Sequence, residues 1–271
     1  MTVTWSLERA TPEGRAGLRQ SVRSEWSKFW SVRSSWWSLA VTVVAVMGIC
    51  ALATATVSNN PQEHVADPAR RSLIGFFLAQ LTLGVLGVLV MSGEYGTGSI
   101  RSTLSAIPRR PVVLLAKILV FGTVVLVLSE ALAFMAFFTG QALFPATVRH
   151  AVLSQPGVAR AVVGSGLYVT VLGLLALGLA TLFRHTAGAI AAYAAVVMVL
   201  PLVVQALPAT LSDAVTRYLP STIGVILLST QPAAQVVGTP VFNAWAGLAL
   251  LGAYAAGTLA LSAWLLVRRD A

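Results

Sequence analysis

Residues 112–138 read VVLLAKILVFGTVVLVLSEALAFMAFF, with Lys117 and Glu130 as the only charged side chains in the run. The run exceeds the roughly 20 residues that an α-helix needs to cross a bilayer at about 1.5 Å per residue. Apolar and polar residues do not alternate as they do in barrel strands, so a helix is the structure that satisfies this backbone in lipid. The stretch therefore predicts a membrane-spanning helix.

The rest of the chain repeats this pattern. Hydrophobic residues make up 57% of the 271 residues and charged residues 10%, whereas soluble domains are about 25% charged. We predict an all-α integral membrane protein, with a tail and interfacial helix at residues 1–37 and a six-helix domain at residues 38–271. The predicted spans are residues 38–57, 72–91, 112–138, 161–183, 187–207 and 244–267.

The basic residues predict the orientation of these helices. The chain has 18 Lys and Arg against 9 Asp and Glu, a net charge of +9. Most of the basic residues precede the first span or lie in the second connection, the fourth connection and the tail. By the positive-inside rule both termini face the cytoplasm, across the plasma membrane. We attribute the charge to topology and to contacts with membrane lipids. We expect no nucleic-acid partner, because no soluble basic domain is present.

Basic and aromatic residues are concentrated just before the first span. Arginines recur at four-residue steps beside tryptophans, which is typical of a helix lying in the membrane interface with its rings at headgroup depth. This helix is either a topology anchor or an elbow that steers the first span. Its predicted anchor residues are Arg19, Arg23, Trp26, Trp30, Trp36 and Trp37.

The connection between the second and third spans, within MSGEYGTGSIRSTLSAIPRRPVVLLAK at residues 91–117, is short and polar. Ile100, Leu104 and Ile107 fall at i, i+4 and i+7 and would line one face of a short helix. Pro108 and Pro111 end that helix, because proline lacks a backbone donor and clashes with the preceding turn. This predicts a surface helix that receives force from another protein.

A second unusual segment lies between the fifth and sixth predicted spans. Residues 218–228 read YLPSTIGVILL, which is too apolar for a free loop and too short to cross the bilayer. A re-entrant or interfacial helix on the external side satisfies both observations.

No catalytic or cofactor motif is evident. Neither lysine follows a phosphate-binding glycine loop, and the three histidines lack metal-ligand spacing. We therefore predict no enzyme activity, cofactor or metal on this chain. Glu130 is a candidate pathway residue, because an ionisable group inside a span costs about 2.5–3.5 kcal/mol and usually has a function. Gln80 is a weaker, uncharged candidate in the second span. The alternatives for Glu130 are a protonated side chain hydrogen-bonded to a neighbouring helix and a position near the outer interface. The alternative for Gln80 is a hydrogen bond between neighbouring helices.

The chain resembles the permease subunit of type-2 ATP-binding-cassette (ABC) exporters. The resemblance covers nearly the whole length, and the bias toward Ala, Val and Arg is similar to that of actinobacterial members. It rests on the six spans and on four stretches: SEWSKFWSVRSSWW (24–37), GEYGTGSIRSTLSAIPRR (93–110), VVLLAK (112–117) and YLPSTIG (218–224).

The resemblance implies that the loop after the second span is a coupling helix that docks on a separate ATPase subunit. Glu94 and Tyr95 would then end the second span, and Ile100, Arg101 and Leu104 would meet the ATPase. Arg109 and Arg110 would sit at the lipid headgroups.

The resemblance also implies partners. The ATPase would bind ATP and Mg²⁺, and a second permease copy or close homologue would complete the pathway. The cargo would be drug-, peptide- or lipid-like. Two alternatives remain: a proton-coupled secondary transporter that uses Glu130, and a membrane anchor or sensor that transports nothing.

Overall fold

The structure, a computed structural model, describes residues 17–59, 65–96 and 110–268. Over these ranges it is helical, and it contains six helices long and apolar enough to cross a membrane. The six spans are Arg33–Val57, Phe76–Gly96, Pro111–Leu143, Val158–Phe183, Thr186–Gln205 and Ala244–Arg268. The prediction of a multi-pass helical membrane protein is therefore confirmed.

The helices follow one another with short connections. They are α1 (Leu18–Ser31), α2 (Arg33–Asn59), α3 (Pro68–Ser72), α4 (Phe76–Gly96), α5 (Arg110–Leu143), α6 (Val158–Phe183), α7 (Thr186–Ala194), α8 (Leu200–Gln205), α9 (Ala209–Thr216), α10 (Pro220–Leu228), α11 (Ala233–Val237) and α12 (Ala244–Arg268). The spans are α2, α4, α5, α6, the combined α7 and α8, and α12.

Among the starts of the spans, those of the first and second differ most from the sequence prediction, each for a local reason. Val32 is extended (φ −87°, ψ 119°), so α1 ends there and the helix of the first span begins at Arg33. The second span begins at Phe76 because α3 and a turn at residues 73–75 precede it. At Gly75 the backbone lies against Val46 of the first span so closely that a side chain would overlap it.

The fourth span, α6, forms the centre of the bundle. In its most apolar stretch 67% of the residues are buried, against 22% in the fifth and sixth spans. Small residues permit this close packing: Gly87 of α4 lies against the backbone of Gly173 of α6, next to the ring of Phe121 of α5. The outer faces of the other spans present apolar side chains outward, as lipid contact requires.

The fifth span is irregular. Residues Ala195–Val199 form a π-helical turn between α7 and α8. Pro201 lies two residues beyond this turn, and its missing N–H interrupts the helical hydrogen bonds at this point. The turn accommodates that interruption.

Helix α10 corresponds to the apolar segment predicted between the fifth and sixth spans. It buries Pro220, Ile223 and Leu227 among other residues and packs against α6 and α12. A helix of nine residues is too short to cross a bilayer. Its re-entrant or external position stays a prediction.

Candidate functional site

Helix α1 packs mainly against α5, and its inward face carries a charge. The buried residues of α1 are Ser21, Glu25 and Phe29, which are spaced by four and form one stripe. Trp26 lies on the outer side and is 46% exposed. A stripe that carries a carboxylate therefore faces the protein, and a tryptophan faces outward.

Glu25 belongs to a cluster of four charges, which we call the charge cluster: Glu25, Lys28, Glu94 and Lys117. The Nζ of Lys117 lies 2.6 Å from Oε2 of Glu25 and 2.8 Å from Oε1 of Glu94. The Nζ of Lys28 lies 2.8 Å from Oε1 of Glu25 and 3.0 Å from Oε1 of Glu94. Each lysine thus bridges both carboxylates, and the cluster is neutral.

The cluster joins three helices at one end of the bundle. Glu25 and Lys28 belong to α1, Glu94 lies in the last turn of α4, and Lys117 lies near the start of α5. Residues 97–109 connect α4 to α5. The cluster therefore attaches the helices on both sides of that connection to α1. Charge-assisted hydrogen bonds hold the end of α4 and the start of α5 to α1.

Burial differs sharply within the charge cluster. The side chain of Lys117 is 2% exposed and that of Glu25 is 7% exposed, whereas that of Lys28 is 39% exposed. Burial alone lowers the pKa of Lys28, but its hydrogen bonds to Glu25 and Glu94 outweigh burial and raise the pKa above its ordinary value of 10.5. Lys28 is therefore charged at physiological pH and forms the accessible side of the cluster.

A cavity of about 510 Å³ adjoins the charge cluster. Its polar part comprises the cluster together with Ser31, Ser34 and Ser35, which lie at the junction of α1 and α2. Its apolar part is formed by α4 and α5, through Leu86, Leu89, Val90, Val120 and Phe121. The cavity thus combines charged and hydrocarbon-like walls.

Tyr95 connects the same end of the bundle to the fourth span. The guanidinium carbon of Arg184 lies 5.7 Å from the centre of the Tyr95 ring, within cation–π range. Arg184 adopts a left-handed conformation (φ 55°) in the tight turn that follows α6. From adjacent positions on α4, Glu94 therefore contacts α1 and α5, and Tyr95 contacts the turn after α6.

The remaining residues predicted for ATPase coupling, Ile100, Arg101, Leu104 and Ile107, lie outside the described residues. Their role stays a prediction.

The predicted anchor residues of α1 and early α2 are mostly exposed. Arg19 and Arg23 are exposed, and Trp36 and Trp37 are 56% and 69% exposed. Trp30 is half-buried, and its ring centre lies 4.8 Å from that of Trp36. The indole Nε1 of Trp36 donates a hydrogen bond to the backbone oxygen of Trp30 at 3.0 Å. This arrangement spans the break at Val32.

Gln80, predicted as a pathway residue, lies in the packed centre. Its side chain accepts a hydrogen bond from the Tyr168 hydroxyl at 2.7 Å, and its backbone oxygen accepts one from the Tyr193 hydroxyl at 2.6 Å. These bonds join the second, fourth and fifth spans, and Gln80 is 3% exposed. The geometry favours the interhelical alternative over a pathway lining.

Glu130 lies on α5 against the backbone of Gly166 on α6. A methyl group at Gly166 would lie 2.6 Å from the carboxyl carbon of Glu130. The backbone of Leu167 is close enough to interact with the carboxyl, but neither carboxyl oxygen makes a hydrogen bond of standard geometry with the described residues. Glu130 is about 20 Å along the helix from Lys117, at 1.5 Å per residue, so it is separate from the charge cluster.

Sequence reasoning identified Glu94 but missed Glu25, Lys28 and Lys117 as site residues. One signal was available: Lys28 and Lys117 are the only lysines among 18 basic residues, and Lys117 lies inside the predicted third span. The pairing of these residues could not be predicted from the sequence, because Glu25 and Lys117 are 92 positions apart.

Within the described ranges, no group of three or more His, Cys, Asp or Glu side chains is arranged to hold a metal ion. Comparison with protein-family models gives no match, and a search of the curated proteins finds no similar sequence.

Proposed function

We propose that this chain is the transmembrane subunit of an ATP-driven exporter of the type-2 ABC class. A separate ATPase subunit binds ATP and Mg²⁺, and a second copy or close homologue completes the pathway. The chain lies in the plasma membrane with both termini in the cytoplasm and moves a drug-, peptide- or lipid-like cargo outward.

The charge cluster is the observation that carries this proposal. An ATPase that pushes on residues 97–109 moves the end of α4 and the start of α5 together. Lys117 and Glu94 pass that motion to Glu25, and therefore to α1 and, through the junction at Val32, to the first span. In this proposal α1 is the elbow, and the connection 97–109 is the coupling helix.

One experiment separates docking of the ATPase from transmission of its motion. In Leu104→Asp a charge enters the apolar stripe that faces the ATPase, and an unpaired desolvated charge is strongly unfavourable. We expect the ATPase to be lost when this variant is copurified from its native membrane. Ser102→Asp adds the same charge on the opposite side of the predicted helix and should keep the ATPase bound.

Transmission is tested with Glu25→Gln, which removes the negative charge between the two lysines. We expect this variant to retain the ATPase while ATP hydrolysis no longer responds to cargo. Equal ATPase recovery from Leu104→Asp and Ser102→Asp would show that the stripe faces lipid. Full coupling in Glu25→Gln would show that the charge cluster only stabilises the fold.

A second candidate, a proton-coupled transporter, has one observation in its favour. The carboxyl oxygens of Glu130 are buried without a hydrogen bond to the described residues, as a group that exchanges protons during transport could be. The close contact with Gly166 argues against it, because it leaves little space for a water chain at that interface.

A further inference from the structure

The cavity beside the charge cluster is a feature that the proposed transport coupling does not use. Its volume of about 510 Å³ lies within the range of roughly 300–1,000 Å³ typical of small-molecule sites. Ser31, Val32 and Ser34 are exposed at its edge, where α1 meets α2, whereas Leu86 and Phe121 are almost fully buried on its α4 and α5 side. The cavity therefore opens beside that junction and has an apolar interior.

The charged wall of the cavity is neutral and internally paired. Its two lysines and two carboxylates cancel, and each lysine contacts both carboxylates. Among the described residues, the one carboxylate oxygen of the cluster without a hydrogen bond is Oε2 of Glu94, and that atom is buried. A charged ligand would lose its hydration here without meeting an unpaired countercharge, which is strongly unfavourable. The wall therefore favours an uncharged ligand.

A serine hydroxyl supplies a hydrogen bond that an uncharged ligand can use. Ser35 lines the cavity and is 4% exposed, and its hydroxyl makes no hydrogen bond with the described residues. Ser31, by contrast, already donates to the backbone oxygen of Lys28 at 2.9 Å. Buried polar groups are generally paired, so a ligand atom that bonds Ser35 is favoured. Val90 and Val120 add hydrocarbon to the opposite wall.

The tryptophans near the cavity lie where amphiphilic molecules concentrate. Trp30 packs against Phe29, a residue of the cavity wall, with ring centres 5.4 Å apart, and Trp36 packs against Trp30 at 4.8 Å. Tryptophan rings favour the headgroup level of a bilayer. A molecule with a polar end and a hydrocarbon body reaches the opening of the cavity from that level.

We propose that this cavity binds one uncharged amphiphile, a hydrocarbon molecule that carries a hydroxyl group. The hydroxyl of the ligand bonds the Ser35 hydroxyl, and its hydrocarbon lies against Val90, Val120 and Phe121. The neutral charge cluster excludes ionic ligands. This inference does not rest on the proposed transport function.

The test uses the full-length chain in phosphatidylcholine nanodiscs and a decanol that carries a photoactivatable diazirine in its chain. We expect the decanol to label α4 and α5 beside the cavity, and an excess of plain decanol to prevent this labelling. Its sulfate and trimethylammonium analogues should label these positions roughly tenfold less, because each would bury an unpaired charge. Equal labelling by the charged analogues would overturn the proposal.

Matched variants separate the cavity from the surrounding bilayer. Ser35→Ala should weaken decanol binding roughly fivefold, the effect of one neutral hydrogen bond, and Val90→Trp, which fills the apolar part, should abolish it. Ser27→Ala on the exposed side of α1 and Val127→Trp, at a site on α5 that is 64% exposed, should bind as the unmodified chain does. Thermal unfolding confirms that each variant is folded. Labelling unchanged in both Ser35→Ala and Val90→Trp would show partition into lipid alone and would overturn the proposal.

The role of neutrality has its own test. Lys28→Gln gives the charge cluster a net negative charge, so the trimethylammonium analogue should label this variant more strongly than it labels the unmodified chain. Equal labelling of the two proteins would contradict selection by charge.

The source of the ligand is distinguished by extracting lipids from the chain purified from its native membrane. One retained uncharged lipid per chain, displaced by decanol, would identify the ligand as a membrane lipid. Decanol binding to a chain that retains no such lipid would identify it as a dissolved amphiphile.

Discussion

At the scale of residues, the charge cluster shows how burial changes the value of an ion pair. Exposed pairs contribute about 0–1 kcal/mol, because water already solvates both charges. Lys117 lies at the opposite extreme, since its ammonium is buried and contacts two carboxylates at 2.6 and 2.8 Å. Its loss would leave Glu25 and Glu94 close together with one half-exposed lysine between them.

We therefore expect Lys117→Met to destabilise the chain by about 3–5 kcal/mol, the cost of breaking a buried pair from one side. Adding Glu25→Gln to this variant should recover most of that loss, because Glu94 and Lys28 then form a neutral pair. Thermal unfolding in detergent measures both effects, with Arg23→Gln as an exposed control. A Lys117→Met variant as stable as the unmodified chain would mean that water solvates the carboxylates.

The raised pKa of Lys28 gives a second prediction. A group whose pKa is raised on folding stabilises the protein fully below its unfolded pKa, and the contribution is lost as pH rises through the folded pKa. Because the pKa of Lys28 lies above 10.5, the stability difference between the unmodified chain and Lys28→Gln should be constant from about pH 6 to 9. It should disappear only at more alkaline pH. A difference that shrinks near neutral pH would contradict the assigned ion pairs.

At the scale of elements, the helices pack closely because glycines leave space for large side chains of neighbouring helices. Gly84 of α4 lies against the ring of Tyr193, whose hydroxyl donates a hydrogen bond to the backbone oxygen of Gln80. Gly224 of α10 admits the Tyr168 ring in the same way. These contacts explain why the buried tyrosines and Gln80 form one unit across three spans.

Gly84→Ala should cost about 1–3 kcal/mol, because the added methyl overlaps a rigid, hydrogen-bonded ring and forces the helices apart. Gly48→Ala on the first span is the matched control: nothing lies within 4 Å of the added methyl. That variant should be neutral, or more stable by up to about 1 kcal/mol from helix propensity. Thermal unfolding of the two variants side by side distinguishes overlap from a general intolerance of alanine.

The elements were largely predictable from the sequence, whereas their relative positions were not. Long apolar runs identify the six spans, because lipid excludes other solutions for the backbone. The start of the second span at Phe76 depends on the approach of Gly75 to Val46, which no local pattern encodes. The burial of Glu25 on α1 was not predictable for a similar reason. In the sequence Glu25 has the character of a solvent-facing residue, and only the tertiary structure brings Lys117 into contact with it.

At the scale of the whole molecule, the two ionisable sites lie in separate parts of the helical bundle. The charge cluster lies at the end where α1, α4 and α5 meet, and Glu130 lies about 20 Å away along α5. Changes at sites this far apart, with no shared partners, are expected to act independently. For the proposed transporter, the source of energy is therefore testable at Glu130 without disturbing the cluster.

If ATP hydrolysis drives export, Glu130 needs no proton cycle. Glu130→Gln preserves its shape, and Glu130→Leu leaves no described hydrogen-bond partner unsatisfied, so both variants should retain substantial transport. Ser129→Ala, which removes the hydrogen bond to the Gly166 oxygen without changing a titratable group, controls for local packing. The assay is transport by the reconstituted chain with its ATPase and without a proton gradient. Loss of transport in both Glu130 variants, while Ser129→Ala is active and the ATPase still binds and hydrolyses ATP, would favour the proton-coupled mechanism instead.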